Sequence, residues 1–369
     1  MKEPDPRHLR RNRAFTLVEL MVSMVILVII AAALMALTDA TSKTLNRTTG
    51  RIDQFHNARS AFEAMTRRLS QATLNTYVDY DVPTAPKSYL RQSELRVIVG
   101  KTVDLLANSN PAKWPGHGVF FQAPLGYVSD PGNERLRNLL NTWGYFVEFG
   151  DDSASRPPFF NSITNAPPLS YRYRLMELME PSESMGIYRY TSGLGSNQKP
   201  RNLTYTGREW FTNSVLTVSS SQQARPVKVL AENILALVIL PKLTAGEDPT
   251  GAKLSPKYEF DSSKTNAQNS ATVDPRYNWK HQLPPVVQVT MIAADEDSYR
   301  RFQVGTASTD LLGSRFANVG DLSNPASNTY SLDLEALETD LRDKYRLNIR
   351  IFSTDVGIRA AKWSRDQGN

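Results

Sequence analysis

Arg13-Ala14-Phe15-Thr16-Leu17-Val18-Glu19-Leu20 opens the longest apolar run of the chain, and the carboxylate inside that run decides how the rest is read. From Phe15 to Leu37 only Thr16, Glu19 and Ser23 interrupt it. As a helix this stretch would be roughly 35 Å long, enough to cross a bilayer once. The tip before it, Met1 to Ala14, carries Lys2, Arg7, Arg10, Arg11 and Arg13 against Glu3 and Asp5. Such a cationic tip predicts a cytoplasmic N-terminus with the remaining chain across the membrane. An ordinary secretory signal is the competing reading, with Ala31-Ala32-Ala33 as its small-residue cleavage site. Two features oppose it: the run exceeds a usual apolar h-region of about 7 to 15 residues, and a carboxylate is rarely kept inside a span without a partner.

Arg13 to Leu20 resembles the class III signal of type IV pilins and type II secretion pseudopilins. By that resemblance a prepilin peptidase cuts between Ala14 and Phe15 and methylates the new amine of Phe15, and Glu19 becomes the fifth residue of the mature chain. The family's usual residue before the cut is Gly; Ala14 is another small residue. The burial cost gives Glu19 its expected role: once apolar helices of several subunits stack, the freed Phe15 ammonium of a neighbour can neutralise the Glu19 carboxylate and set the axial register. The implied partners are prepilin peptidase, other pilin-like subunits and the bacterial inner membrane, with the head periplasmic or extracellular and the subunit built into a pilus-like filament.

Beyond Leu37, Leu45, Ile52, Phe55, Phe62, Met65 and Leu69 recur as one helical stripe, and no proline precedes Pro83. The pattern predicts a single helix from Phe15 to about Asn75, with a bend near Gly50. After Pro83 short β-rich runs take over: Leu95–Val99, Gly118–Gln122, Tyr145–Phe149, Tyr171–Leu178, Ile234–Leu240, Val286–Ala293, Asn348–Phe352 and Asp355–Ala360. Tyr171, Tyr173 and Leu175 alternate with Arg172 and Arg174, which predicts one buried and one wet face. Helices are expected at Glu134–Asn141 and Leu332–Tyr345. The connections Lys242–Tyr277 and Gly305–Asn328 read as surface loops, too poor in apolar residues to be core. The expected fold is α+β and pilin-like: a leader over 1–14, a long helix over 15–80 whose part 15–37 spans the membrane, and a β-rich head over 81–369.

Two further resemblances bear on the head. Arg225 to Ile234, then Trp279 and Leu283-Pro284-Pro285-Val286-Val287-Gln288-Val289-Thr290, is similar to the late strands of J-type minor pseudopilins. Trp143 to Asp152, Tyr173 to Glu177 and Val356 to Ser364 resemble the Verru_Chthon cassette protein C family, pilin-like proteins of similar length, nearly end to end. The first implies a minor subunit and the second a pilin-like one with pilin-like partners, and a head this bulky suits a tip or decorating position better than a tightly packed shaft.

Composition narrows the chemistry. Zero cysteines in 369 residues exclude disulfides, thiolate metal sites and a cysteine nucleophile. The histidines, His8, His56, His117 and His281, are not at metal-ligand spacing, and no serine sits in a nucleophile-elbow motif. Gly193 to Lys199 lacks the spacing of a phosphate loop and reads as a turn. Asp151-Asp152, Glu247-Asp248 and Asp295-Glu296-Asp297 lack the alternating pattern of a calcium loop and read as solvated turns. The net charge of +6 invites a nucleic-acid reading, yet half of it lies in the leader and no basic run downstream exceeds two residues. The expectation is therefore a non-enzymatic subunit with no cofactor, no metal and no nucleic-acid partner. Its rivals are a secreted soluble binding protein cut near Ala33 and a membrane-anchored enzyme.

Overall fold

The fold is that of a computed structural model, which describes residues 16–80, 84–85, 87, 89–108, 110–135, 138–153, 156–189, 208–216, 225–264, 280–303, 305–319 and 328–361. Two compact units divide it, Met1–Ile52 and Asp53–Asn369. The elements are α1 (Leu17–Leu69), β1 (Tyr77–Tyr80), β2 (Tyr89–Gln92), β3 (Ile98–Lys101), α2 (Thr102–Leu105), β4 (His117–Ala123), β5 (Asn141–Gly150), β6 (Arg172–Glu180), α3 (Gly186–Arg189) and α4 (Glu209–Leu216). They continue with β7 (Val227–Glu232), β8 (Ile234–Lys242), β9 (Phe260–Asp261), β10 (Val286–Ala294), α5 (Glu296–Phe302), α6 (Tyr330–Thr339) and β11 (Ile349–Gly357). The class is α+β, as the sequence pattern predicts.

The head holds a six-stranded sheet, β7-β6-β5-β4-β3-β9, a three-stranded sheet, β11-β10-β8, and the hairpin β1-β2, all antiparallel. Strand alternation gives the larger sheet two buried faces. Val119 and Phe121 of β4, Tyr145 and Val147 of β5, and Tyr173 and Leu175 of β6 join one core with Ile234 to Leu240 of β8, much of β10, and Ala58, Ala61, Phe62, Met65 and Leu69 of α1. Phe120, Phe146, Met176 and Leu178 point the other way, into a second core closed by Trp210, Phe211 and Val215 of α4. Phe120 stacks on Phe211 with ring centroids 3.9 Å apart. Gly144 makes room for that stack, because a Cβ there would lie 2.3 Å from Phe120 Cδ1.

Several expectations need correction. The face of β6 that carries Arg172 and Arg174 is not wet: Arg174 is 4% exposed, its guanidinium donating to Gly150 O and Asp151 O at 2.7 and 2.9 Å. Glu134–Asn141 is not a helix among its described residues. Pro131–Asn133 makes one 3-10 turn, and the Asn141 side chain bonds Tyr127 N and O at 2.9 and 2.6 Å, which pins the start of β5. The two expected C-terminal strands are one, since β10 offers β11 nine consecutive partners from Val286↔Gly357 to Ala294↔Ile349. Its polar middle is satisfied, Thr290 Oγ1 lying 2.7 Å from Ser353 Oγ.

The long connections are core in part. Leu243, Leu254, Tyr258 and Phe260 are buried in one and Leu311, Leu312, Phe316 and Val319 in the other. A few large side chains anchor each loop although its average composition is polar. The fold of the first loop is held by Asp248, whose carboxylate accepts from Gly251 N at 2.9 Å and Lys253 N at 2.7 Å. Helix α6 runs on into a π-helical turn over Asp340–Lys344, with Leu337 and Leu341 in the core as the predicted stripe requires.

Candidate assembly interface

The first described residue caps the helix. Thr16 O accepts from Leu20 N at 3.2 Å, and Thr16 Oγ1 accepts from Glu19 N–H at 3.3 Å. Thr16-Leu17-Val18-Glu19 thus has the spacing of a capping box and puts an acid in the first turn, where the helix dipole favours it. Glu19 itself is exposed, with no cationic partner among the described residues. Ala14 and Phe15, the predicted processing pair, lie outside the described residues.

From Leu17 to Leu37 every large apolar side chain is between 51 and 74% exposed. Leaving so many side chains in water would cost on the order of 20 kcal/mol or more. The hydroxyls along the helix are satisfied within it: Ser23, Thr38, Thr41, Thr44 and Thr48 each donate to the carbonyl four residues back, at 2.7 to 2.9 Å. With its hydroxyls bonded internally, the segment Leu17–Leu45 is long and apolar enough to cross a membrane.

In the head, the end of α1 is fastened by a buried carboxylate. Glu177 of β6 accepts from Trp143 Nε1 at 2.9 Å and Tyr145 Oη at 2.7 Å, and pairs with Arg68. Arg68 also stacks 5.1 Å from the centre of the Trp143 ring. Burial, and then the Glu177 charge, push the Tyr145 phenol far above its ordinary range, so it stays a donor. Residue patterning alone does not reveal this lock, because Arg68 and Glu177 lie 109 residues apart in sequence.

The remaining candidates for chemistry resolve into structural roles. His117 is buried at the start of β4, accepting from Ile239 N at 3.1 Å through Nδ1, and burial lowers its pKa to about 3, so the ring is neutral. The three acidic pairs and triplets are not merely solvated. Asp248 and Asp295 are buried; Asp295 caps α5 by accepting from Ser298 N at 2.8 Å, and Asp152 accepts from Ser170 N at 3.0 Å. Among the described residues, no three His, Asp or Glu side chains gather where they could hold a metal. Gly193–Lys199, Trp279 and His8 lie outside the described residues.

Residues 9–35 match the family model of the prokaryotic N-terminal methylation motif. The match takes in Arg13, Ala14, Phe15, Glu19 and most of the apolar run. It supports a type IV pilin-like protein that is processed by prepilin peptidase and assembles with other pilin subunits, and a long apolar helix followed by a β-rich head is a pilin-like fold. No curated protein and no solved structure matches the chain.

Proposed function

We propose that the chain is a minor, non-enzymatic pilin-like subunit of a type II secretion or type IV pilus-like machine, akin to the cassette protein C proteins. In this reading prepilin peptidase cuts between Ala14 and Phe15 and methylates Phe15. The helix is held in the inner membrane until Glu19 pairs with the Phe15 ammonium of a neighbouring subunit, and the head stands outside the cytoplasm at or near a tip. The observation that carries it is the methylation motif over residues 9–35, which runs into a helix whose apolar side chains are exposed among the described residues.

Processing is tested by intact-protein and peptide mass spectrometry after co-expression with a prepilin peptidase. The expected N-terminus is N-methylated Phe15; recovery of Met1, or a start just after Ala33, would overturn the reading. Co-purification from native membranes should bring other chains with the same motif.

A further inference from the structure

The two larger sheets of the head meet where β4 begins. A Cβ at Gly116 would lie 2.3 Å from Leu237 O of β8, and the φ of +79° there is one that glycine adopts without strain. Beside it stands His117, only 1% exposed. Strand β8 is an edge strand of its sheet, so the N–H groups on its outer side point away from β10. One of them, Ile239 N, donates to His117 Nδ1 at 3.1 Å. A side chain of the six-stranded sheet thus supplies an acceptor to the backbone of the three-stranded one.

That acceptor exists in one protonation state alone. A neutral imidazole that accepts at Nδ1 carries its proton on Nε2; with a second proton both nitrogens are donors. Nδ1–H would then confront Ile239 N–H, and a buried donor without an acceptor carries its full desolvation cost.

The neighbours do not offset a charge on the ring. Burial, the largest influence, lowers the His117 pKa; the hydrogen bond to the Phe316 backbone favours a proton and Lys101 of β3 opposes one, leaving the value at about 3. Tyr258, from the loop ahead of β9, lies against the ring with centroids 4.9 Å apart, and burial pushes its phenol above the ordinary range, so it brings no negative charge. From β8, Ile234 to Leu240 bring no charge either. Lys101, Asp104 of α2, Asp310, Arg315 and His117 line one cavity of about 170 Å³, which gives water a route to the ring. Around it Arg315 pairs with Asp340 and Asp310 accepts from Gly313 N at 3.0 Å, and among the described residues no carboxylate pairs with His117.

We infer that His117 is an acid-sensitive latch between the two sheets: a proton on Nδ1 releases Ile239 N–H and opens the contact of β4 with β8. Latched, the ring resists a second proton; released, it takes one near the ordinary histidine value of about 6.5. The open form therefore binds more protons, and it gains on the latched form as pH falls below about 6.5, until the latched ring itself titrates.

The test is amide hydrogen exchange, followed by NMR on the full chain labelled with 15N-isoleucine in detergent micelles and corrected for the intrinsic pH dependence of exchange. Ile239 is assigned by its loss from the spectrum of Ile239→Val. Between pH 6.5 and pH 4.5 its opening equilibrium should rise about tenfold per pH unit, roughly a hundredfold in all. At pH 4.5 it should be less protected than Ile292 of the middle strand β10, because the latch opens without unfolding the sheet.

His117→Asn keeps an acceptor at the Nδ1 position and takes no proton, so its Ile239 exchange should lose this pH dependence. His281→Asn, at another buried histidine, should keep it. An opening equilibrium flat with pH, an unchanged slope in His117→Asn, or an Ile239 as protected as Ile292 at pH 4.5 would overturn the latch. Should His117→Asn fail to fold, 15N-histidine spectra of the parent decide. An unprotonated, hydrogen-bonded Nδ1 at pH 6.5 supports the latch, and a protonated Nδ1 at that pH overturns it.

Discussion

The two halves of α1 have the same backbone and opposite relations to their surroundings. From Leu17 to Leu37 apolar side chains cover the whole circumference and are exposed, whereas from Phe55 to Leu69 they form a single stripe, with Phe62, Met65 and Leu69 in the head's core. A stripe needs one apolar neighbour, and the chain supplies it. A helix apolar on all sides needs an apolar environment on all sides, which only lipid or other helices can supply. Each half should therefore fail in its own way, one through assembly and the other through stability.

The largest effect is expected at Glu19. Replacing it by Ala removes the one charge inside the span, so membrane insertion should persist and the head should melt at the parent temperature. Incorporation into filaments, read by shearing and immunoblotting against the other subunits, should fall by an order of magnitude or more, because a buried ammonium left without its carboxylate is strongly disfavoured. Normal incorporation of the Glu19→Ala chain would break the contrast between the two halves.

Next comes the lock at the end of the stripe. Glu177→Ala leaves the Arg68 guanidinium, the Trp143 N–H and the Tyr145 O–H without their shared acceptor. Removing one partner of a buried pair costs about 3 to 5 kcal/mol, and the partial exposure of Arg68 favours the lower end. Urea denaturation should show this loss, while membrane insertion stays intact. The exposed pair Arg59–Glu63 on the same helix is the sharpening control: Glu63→Ala should shift stability by only a few tenths of a kcal/mol. Equal effects at Glu177 and Glu63 would mean that the end of α1 is not fastened as described.

The same division explains what could be read from sequence. The motif around Phe15, the apolar run and the stripe are local patterns, and so are β4, β5, β6, β8 and β10, whose β-rich runs predict strands within a few residues. Helix α5 carries local signals that the solvated-turn reading of its acids passes over: Asp295 ahead of Ser298, acids in its first turn and Arg300-Arg301 in its last. What local pattern cannot carry is pairing across distance. The merging of two runs into β11, the burial of Arg174, and the meeting of Arg68 with Glu177 all depend on which strand lies alongside. The two long loops differ from their expected surface role for a related reason: average composition hides a few anchors such as Tyr258 and Phe316, whose rings meet edge-on at 6.1 Å.

The smallest of these effects isolates the head by pH. Glu296 accepts from Arg172 Nη2 at 2.6 Å, Asn233 Nδ2 at 2.7 Å and Arg300 Nε at 2.7 Å, tying α5 to β6 and to the corner between β7 and β8. Burial alone would raise its pKa; the Arg172 and Asn233 hydrogen bonds outweigh that and hold it down at about 2. A carboxyl whose folded pKa lies below its unfolded value stabilises the fold above the unfolded pKa, near 4.3, and ceases to do so as pH falls through the folded one. The contribution at neutral pH is on the order of 2 to 3 kcal/mol once partial exposure is allowed for. Glu296→Gln should therefore be less stable than the parent in urea at pH 7, with the gap narrowing between about pH 5 and pH 2. A gap that stayed constant down to pH 3 would show that packing, not the ionised carboxylate, holds α5 to the sheet.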